Sequence, residues 1–186
     1  MTWFVDCGAH RGESLQLARA IYGESLHCIA VEPLAACWPH LEREGAIVIP
    51  AALWTEAGTR RLYLGGQEVS SSLLAEKTSG GVSPDRFVDV PTVRLGPILQ
   101  SLCGYEVVLK LDVEGAEYDV LEQLLDDGAP SLRDLFVDFH ADRIAGFPVE
   151  RHNELVARLL AFGFPLPKWS PIQGGVIECG RAWFLP

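Results

Sequence analysis

At 186 residues the chain has the length of one domain, and its 15 Lys and Arg against 25 Asp and Glu give a formal charge of −10. With no basic run longer than Arg60-Arg61, it lacks the electrostatic footprint of a nucleic-acid binder. No apolar stretch approaches the roughly 20 residues of a membrane span and no charged-then-apolar leader precedes the first strand, so a soluble, cytoplasmic protein with no membrane partner is expected.

The first predicted element is a strand, Trp3-Phe4-Val5, running into Asp6 and then into a loop with glycines at Gly8 and Gly12. Ser14 stands where a helix cap is expected, and Leu15, Leu17, Ala18 and Ile21 carry helical spacing as far as Gly23, a C-terminal cap. Glycine has no Cβ, so the loop can turn sharply and let a ligand approach its amides. A dinucleotide turn wants G-x-G-x-x-G, whereas here position 10 is His10 and Asp6 ends the strand. A carboxylate at that tip repels phosphate but suits an ammonium. Asp-x-Gly-x-x-x-Gly therefore points to S-adenosylmethionine, whose methionine end is zwitterionic and which carries no phosphate. His10 and Arg11 form the crest of this loop, and a valine at Gly8 is expected to crowd the ligand while leaving the domain folded.

Leu26 to Val31 reads as a second strand ending in Glu32 before Pro33. Glu32 lies 20 residues after Gly12, the offset at which nucleotide folds place the carboxylate that accepts hydrogen bonds from ribose hydroxyls. Pro39 begins a short helix through Leu41 and Arg43 that Gly45 stops, and Ala46 to Ile49 reads as a third buried strand, continued by Ala51-Ala52-Leu53-Trp54. From Thr55 to Leu95 the alternation lapses. Arg60 to Leu64 and Phe87 to Val90 read as short strands around a Ser- and Gly-rich stretch, Ser70 to Arg86, which reads as an insertion near the site or as a plain disordered loop.

Glu106 to Asp112 restores the pattern as a central strand, and Val113-Glu114-Gly115-Ala116-Glu117 turns it into a helix with Val120, Leu121, Leu124 and Leu125 on its apolar side. Leu135 to His140 repeats the design, and a period of two puts Asp138 and His140 on one face. A helix from about Val149 to Phe162 follows. Strands Leu166 to Trp169 and Val176 to Cys179, paired as a hairpin across Gln173-Gly174-Gly175, complete the chain. Alternating strands and helices specify an α/β fold with a doubly wound, mostly parallel sheet, and ligands of such sheets bind beyond the carboxyl ends of the strands. Asp6, Glu32, Asp112, Asp138 and His140 all fall on that edge. The five cysteines, Cys7, Cys28, Cys37, Cys103 and Cys179, are odd in number and lack Cys-x-x-Cys spacing, the pattern of small hydrophobes in a reducing compartment.

Phe4-Val5-Asp6-Cys7-Gly8-Ala9-His10-Arg11-Gly12, Val31-Glu32-Pro33, Ser71-Ser72-Leu73, Phe139-His140 and above all Leu109-Lys110-Leu111-Asp112-Val113-Glu114-Gly115-Ala116-Glu117 resemble the FkbM-type S-adenosylmethionine-dependent methyltransferases, over about residues 4 to 140. The resemblance implies one class I methyltransferase domain over residues 1–186, Rossmann-like, with a seven-stranded sheet and one antiparallel strand near its edge. It also implies O-methylation of a hydroxyl on a sugar or natural product. With the first strand expected almost at Met1, the helices that often precede it in that family are not expected here. Pro50-Ala51-Ala52-Leu53-Trp54 lacks the polar residue expected after the third strand, so no adenine contact is assigned.

Methyl transfer from a sulfonium to a hydroxyl needs in-line alignment, worth roughly 7 to 11 kcal/mol, and a base for the hydroxyl proton, worth about 100- to 10,000-fold. His140 is the side chain suited to that work near neutral pH, with Asp112 and Glu114 beside it as catalytic or acceptor contacts. The cofactor-binding set is Asp6, Gly8, His10, Gly12, Glu32 and Asp112, and Glu117 takes a structural role at the helix start. This reading assigns no metal ligand. A rival makes Asp112, Glu114, Asp138 and His140 a divalent-metal site. Another makes the chain a non-catalytic cofactor-binding module that works with a partner enzyme, and a homo-oligomer is compatible with each.

Overall fold

The computed structural model describes residues 1–66, 70–128 and 132–164. In chain order the elements are β1 (Thr2–Cys7), α1 (Glu13–Tyr22), β2 (His27–Val31), α2 (Trp38–Arg43), β3 (Ile47–Ile49), β4 (Ala52–Leu53), β5 (Gly58–Tyr63), β6 (Phe87–Val93), α3 (Leu95–Gln100), β7 (Glu106–Leu111), α4 (Glu117–Asp127), β8 (Asp134–Val137), a 3-10 turn (Ala141–Arg143) and α5 (Val149–Phe162). The closing hairpin expected between Leu166 and Cys179 lies outside the described residues.

Five strands form a sheet in the order β3-β2-β1-β7-β8, and every neighbouring pair in it is parallel. Alternate residues of its strands enter opposite cores, as a period of two requires. Val5, Cys7, Leu109 and Leu111 join a cluster with α3, α4 and α5 through Leu99, Leu121 and Leu155, whereas Phe4, Ala30 and Val108 pack on α1 and α2 through Leu15 and Leu41. Helices therefore cover both faces, which is the doubly wound arrangement.

The antiparallel edge strand expected of a seven-stranded sheet falls to the closing hairpin, outside the described residues. Among the described residues the main sheet has five strands, and β4, β6 and β5 form a separate sheet in which β5 and β6 run antiparallel. The expected continuation of β3 through Ala51 to Trp54 is corrected: Pro50, which follows the last residue of β3, has no N–H to donate to a ladder. The Ala51 amide bonds back to the Ile49 carbonyl at 2.9 Å, so the chain turns there and Ala52-Leu53 pairs with Thr92-Val93 rather than extending β3. Nor is β3 a buried strand, since it ends the sheet order and leaves Ile47 exposed. Helix α3 was not anticipated. Its Gly96-Pro97 pair reads as a breaker, yet proline is tolerated in a first helical turn, where its missing N–H has no intrahelical partner to lose. Among the described residues no helix is long and apolar enough to cross a membrane.

Candidate active site

The glycine loop is held from below. The Gly8 amide bonds the Val31 carbonyl at 3.0 Å, and the Asp112 amide bonds the Cys7 carbonyl at 3.1 Å. These two bonds tie the carboxyl ends of β1, β2 and β7 into one edge. Gly8 has φ +77°, and a Cβ built there would stand 1.8 Å from the Asp112 carbonyl oxygen. The glycine is thus required by the close approach of β7 as well as by its left-handed backbone, a correction to the expectation that a side chain at Gly8 would disturb only the ligand. Gly12, also left-handed, supplies the N-cap of α1 and packs against Leu15 and Leu41 away from the cleft.

Asp6 and Lys110 are register partners on β1 and β7 and so project to the same side of the sheet. The Asp6 carboxylate is fully buried, 2.9 Å from the Lys110 ammonium, and accepts a hydrogen bond from Ser14 Oγ. Ser14 therefore anchors α1 to β1 instead of capping the helix, and Asp6 does not line the cleft as a partner for a ligand's ammonium. Lys110 in turn donates to the Gly8 carbonyl at 2.9 Å and lies 3.6 Å from Asp112. Burial alone would depress Lys110, but Asp6 and Asp112 hold its ammonium above the usual lysine range. Sequence reasoning assigned Lys110 no role. The available signal was a lysine inside the otherwise apolar Val107-Val108-Leu109-Lys110-Leu111, which a buried strand accommodates only with a buried carboxylate beside it.

Glu32 follows β2 and is 5% exposed. One carboxylate oxygen accepts the His10 amide at 2.9 Å and the other accepts the Leu34 amide at 2.9 Å. Burial pushes its carboxyl up, against the lowering effect of those two amides. Each oxygen retains a second lone pair. His10 itself has φ +46°, a left-handed conformation that costs a non-glycine residue about 1 kcal/mol or more.

At the ends of β7 and β8 the acidic residues converge on His140. Strand β8 stops at Val137, the Asp138 amide bonds the Leu111 carbonyl at 2.9 Å, and His140 precedes the 3-10 turn. Asp138 and His140 thus meet through a turn and not by strand alternation, with His140 Nε2 3.6 Å from Asp138. Nε2 also lies 3.4 Å from Glu114 and 3.9 Å from Asp112, while Nδ1 is 3.0 Å from Glu117. Glu117 is fully buried and accepts the Val113 and Gly115 amides as well. Its structural role extends from the helix start to the orientation of the imidazole. Glu114 adopts φ +59° and pairs with the ammonium of Lys77, whose chain segment crosses the site. Ser72 Oγ donates to the Glu114 carbonyl at 2.6 Å, so the stretch after Ser70 is built onto the β7 turn.

Burial by itself would lower the His140 pKa, but Glu117, Glu114 and Asp138 raise it to about 10. Burial pushes Asp138 up to about 6. The surrounding carboxylates therefore favour a cationic group at this position, whereas the sequence reading expects a base there. Raised pKa values mean that the folded chain binds these protons more tightly than the unfolded chain, so stability declines as pH rises. The Asp138 share is lost from about 3.8 to 6 and the His140 share from about 6.5 to 10. The melting temperature is expected to fall by at least about 3 °C between neutral pH and pH 10, an effect of roughly 1 kcal/mol. His140→Gln should flatten that slope in a thermal-shift series.

These groups border a cleft of about 540 Å³. Gly8, His10, Glu32, Asp112 and Glu114 line it, whereas Asp6, Gly12 and His140 stand behind its wall. Leu34 and Leu53 give it an apolar side between the β2 and β4 tips. Arg143, from the turn after β8, adds a cation that sequence reasoning missed, as it did Lys77. Neither lies in a strand–loop–helix motif, so no spacing pattern announces them.

A parallel sheet wound on both faces, with a glycine loop after its first strand, a carboxylate at the tip of its second and an acidic turn after its central strand, has the layout of a doubly wound α/β fold with its cleft beyond the carboxyl ends of the strands. The family model of the methyltransferase FkbM domain matches residues 6–166. The chain belongs to that family and carries a methyltransferase domain. No curated protein and no solved structure matches it.

Proposed function

We propose that the chain transfers the methyl group of S-adenosylmethionine to a hydroxyl of a small acceptor, a sugar or natural product. The observation that carries this reading is Glu32, a nearly buried carboxylate at the tip of β2 whose oxygens are aimed by the His10 and Leu34 amides. Their remaining lone pairs suit two adjacent ribose hydroxyls. Gly8 to His10 would present backbone to the cofactor, and Leu34 and Leu53 would flank its base in an apolar slot. The bound cofactor supplies a methyl group on a positively charged sulfur. Asp112 and Glu114 face the part of the cleft left for the acceptor, and a carboxylate there can accept the hydroxyl proton. The buried imidazole of His140 stands behind both carboxylates.

Glu32→Gln replaces one acceptor oxygen by a donor, and loss of a hydrogen bond to a charged group is worth about 1.5 to 3 kcal/mol. Calorimetry should show S-adenosylmethionine binding weakened by about 10- to 100-fold, with turnover to S-adenosylhomocysteine falling alongside. Unchanged affinity in a folded Glu32→Gln protein would refute the ribose assignment, and absence of binding by the native chain at millimolar cofactor would refute the whole reading.

A further inference from the structure

We propose that Asp112, Glu114 and His140 bind a divalent cation, of the Mn²⁺ type, in the wall of the cleft. One ligand atom from each of these residues can be chosen such that all lie within 4.8 Å of one another. Trans ligands of an octahedral cation with bonds of about 2.1 Å stand about 4.2 Å apart, so small side-chain rotations close the set. The register of β7 and β8 makes the juxtaposition reproducible, since Leu111 pairs with Val137 and the ligands follow directly from those strand ends.

The imidazole gives a second and independent observation. His140 is 1% exposed and its Nε2 has no hydrogen-bond partner, although it faces the carboxylates of Glu114, Asp138 and Asp112. Its Nδ1 is engaged by Glu117 at 3.0 Å. A carboxylate on one ring nitrogen, with the other nitrogen directed at oxygen donors, is how proteins orient a metal-ligating histidine and fix its tautomer. Asp138 Oδ2 is likewise buried without a hydrogen-bond partner, available to a cation or to a water on it. The nearby lysines do not exhaust the charge: Lys77 answers Glu114, and Lys110 is shared between Asp112 and the closer Asp6. One imidazole among carboxylates, with no thiolate, favours a hard or borderline cation.

Such a cation would border the space left for the acceptor and could hold its oxygen. That use rests on the methyl-transfer reading; the binding does not. The test is titration of the chelator-treated chain with Mn²⁺, following the electron paramagnetic resonance signal of the free ion. The expected result is loss of free signal up to one equivalent, with affinity lowered at least about 10-fold in Asp112→Asn and in His140→Gln, and about 10- to 100-fold in Glu117→Gln. Melting curves in EDTA establish that each variant is folded, and Asp112→Asn, at the partly exposed ligand, decides the matter where a buried substitution unfolds the chain. A free signal that the native chain leaves undiminished overturns the proposal in favour of a proton on Nε2. Equal binding by Asp112→Asn overturns it in favour of a site elsewhere. Calorimetry with S-adenosylmethionine on the same samples reports the methyl-transfer reading separately.

Discussion

Asp6→Ala is expected to lower stability by about 3 to 5 kcal/mol, the cost of leaving one member of a buried ion pair without the other. Lys110 would keep the Gly8 carbonyl at 2.9 Å and the more distant Asp112, but would lose its nearest counter-charge in a setting where it is 3% exposed. Ser14 would lose its acceptor in the same step. The melting temperature should drop by roughly 10 °C at about 2 to 4 °C per kcal/mol. The double variant Asp6→Ala, Lys110→Met separates the two jobs of the pair. The apolar pair leaves no charge buried alone and should recover part of the stability, less the cavity left by the missing carboxyl group. Cofactor affinity should stay low, because the Gly8 carbonyl has lost its anchor. Full recovery of both would reduce Asp6 and Lys110 to packing, and a single variant as stable as the native chain would show that the pair is open to water.

Gly8→Val should cost the fold and the binding together. The left-handed backbone is penalised by about 1 to 2 kcal/mol for a residue with a Cβ, and the Cβ would meet the Asp112 carbonyl oxygen at 1.8 Å, a contact that only backbone movement relieves. Moving that carbonyl pulls on the bond from the Asp112 amide to Cys7 and on the β7 turn that carries Glu114. Denaturant unfolding should show a loss of several kcal/mol, the range of overpacked sites with added backbone strain. S-adenosylmethionine binding should vanish even at temperatures where the variant stays folded. Wild-type stability in this variant would mean that β1 and β7 stand further apart than described.

Much of this architecture was legible because the main elements follow a single local rule each. Trp3 to Asp6, Leu26 to Glu32 and Glu106 to Asp112 are apolar runs that end in a carboxylate, and each is a parallel strand of the central sheet. The helices after Gly12 and after Ala116, and the one from Val149 to Phe162, kept their helical spacing. Misreadings came where a long-range partner outweighed the local rule. Ser14 has the chemistry of a cap, but Asp6 is the stronger acceptor within its reach. Asp6 has the chemistry of a ligand contact, but β7 places a lysine opposite it. Ala51 to Trp54 continue an apolar run, but strand β6 arrives from some forty residues downstream to pair with them. In the candidate site, Gly8, Glu32, Asp112 and Glu114 were readable from motif position. The roles of Lys110, Lys77 and Arg143 were not, since they depend on register across the sheet and on the path of the segment after Ser70.

The position of β1 in the middle of the sheet governs how the chain can assemble. Trp3 finds its neighbour on one side at His27 of β2 but on the other only at Val107 of β7. A ribosome that has synthesised the whole glycine loop and β2 has therefore made an incomplete sheet, with one flank of β1 left bare until β7 emerges. Closing so long a loop late is entropically costly and slow. During synthesis that flank of Thr2 to Cys7 stays unpaired, and the glycine loop gains its support from Asp112 only after more than half the chain has been made.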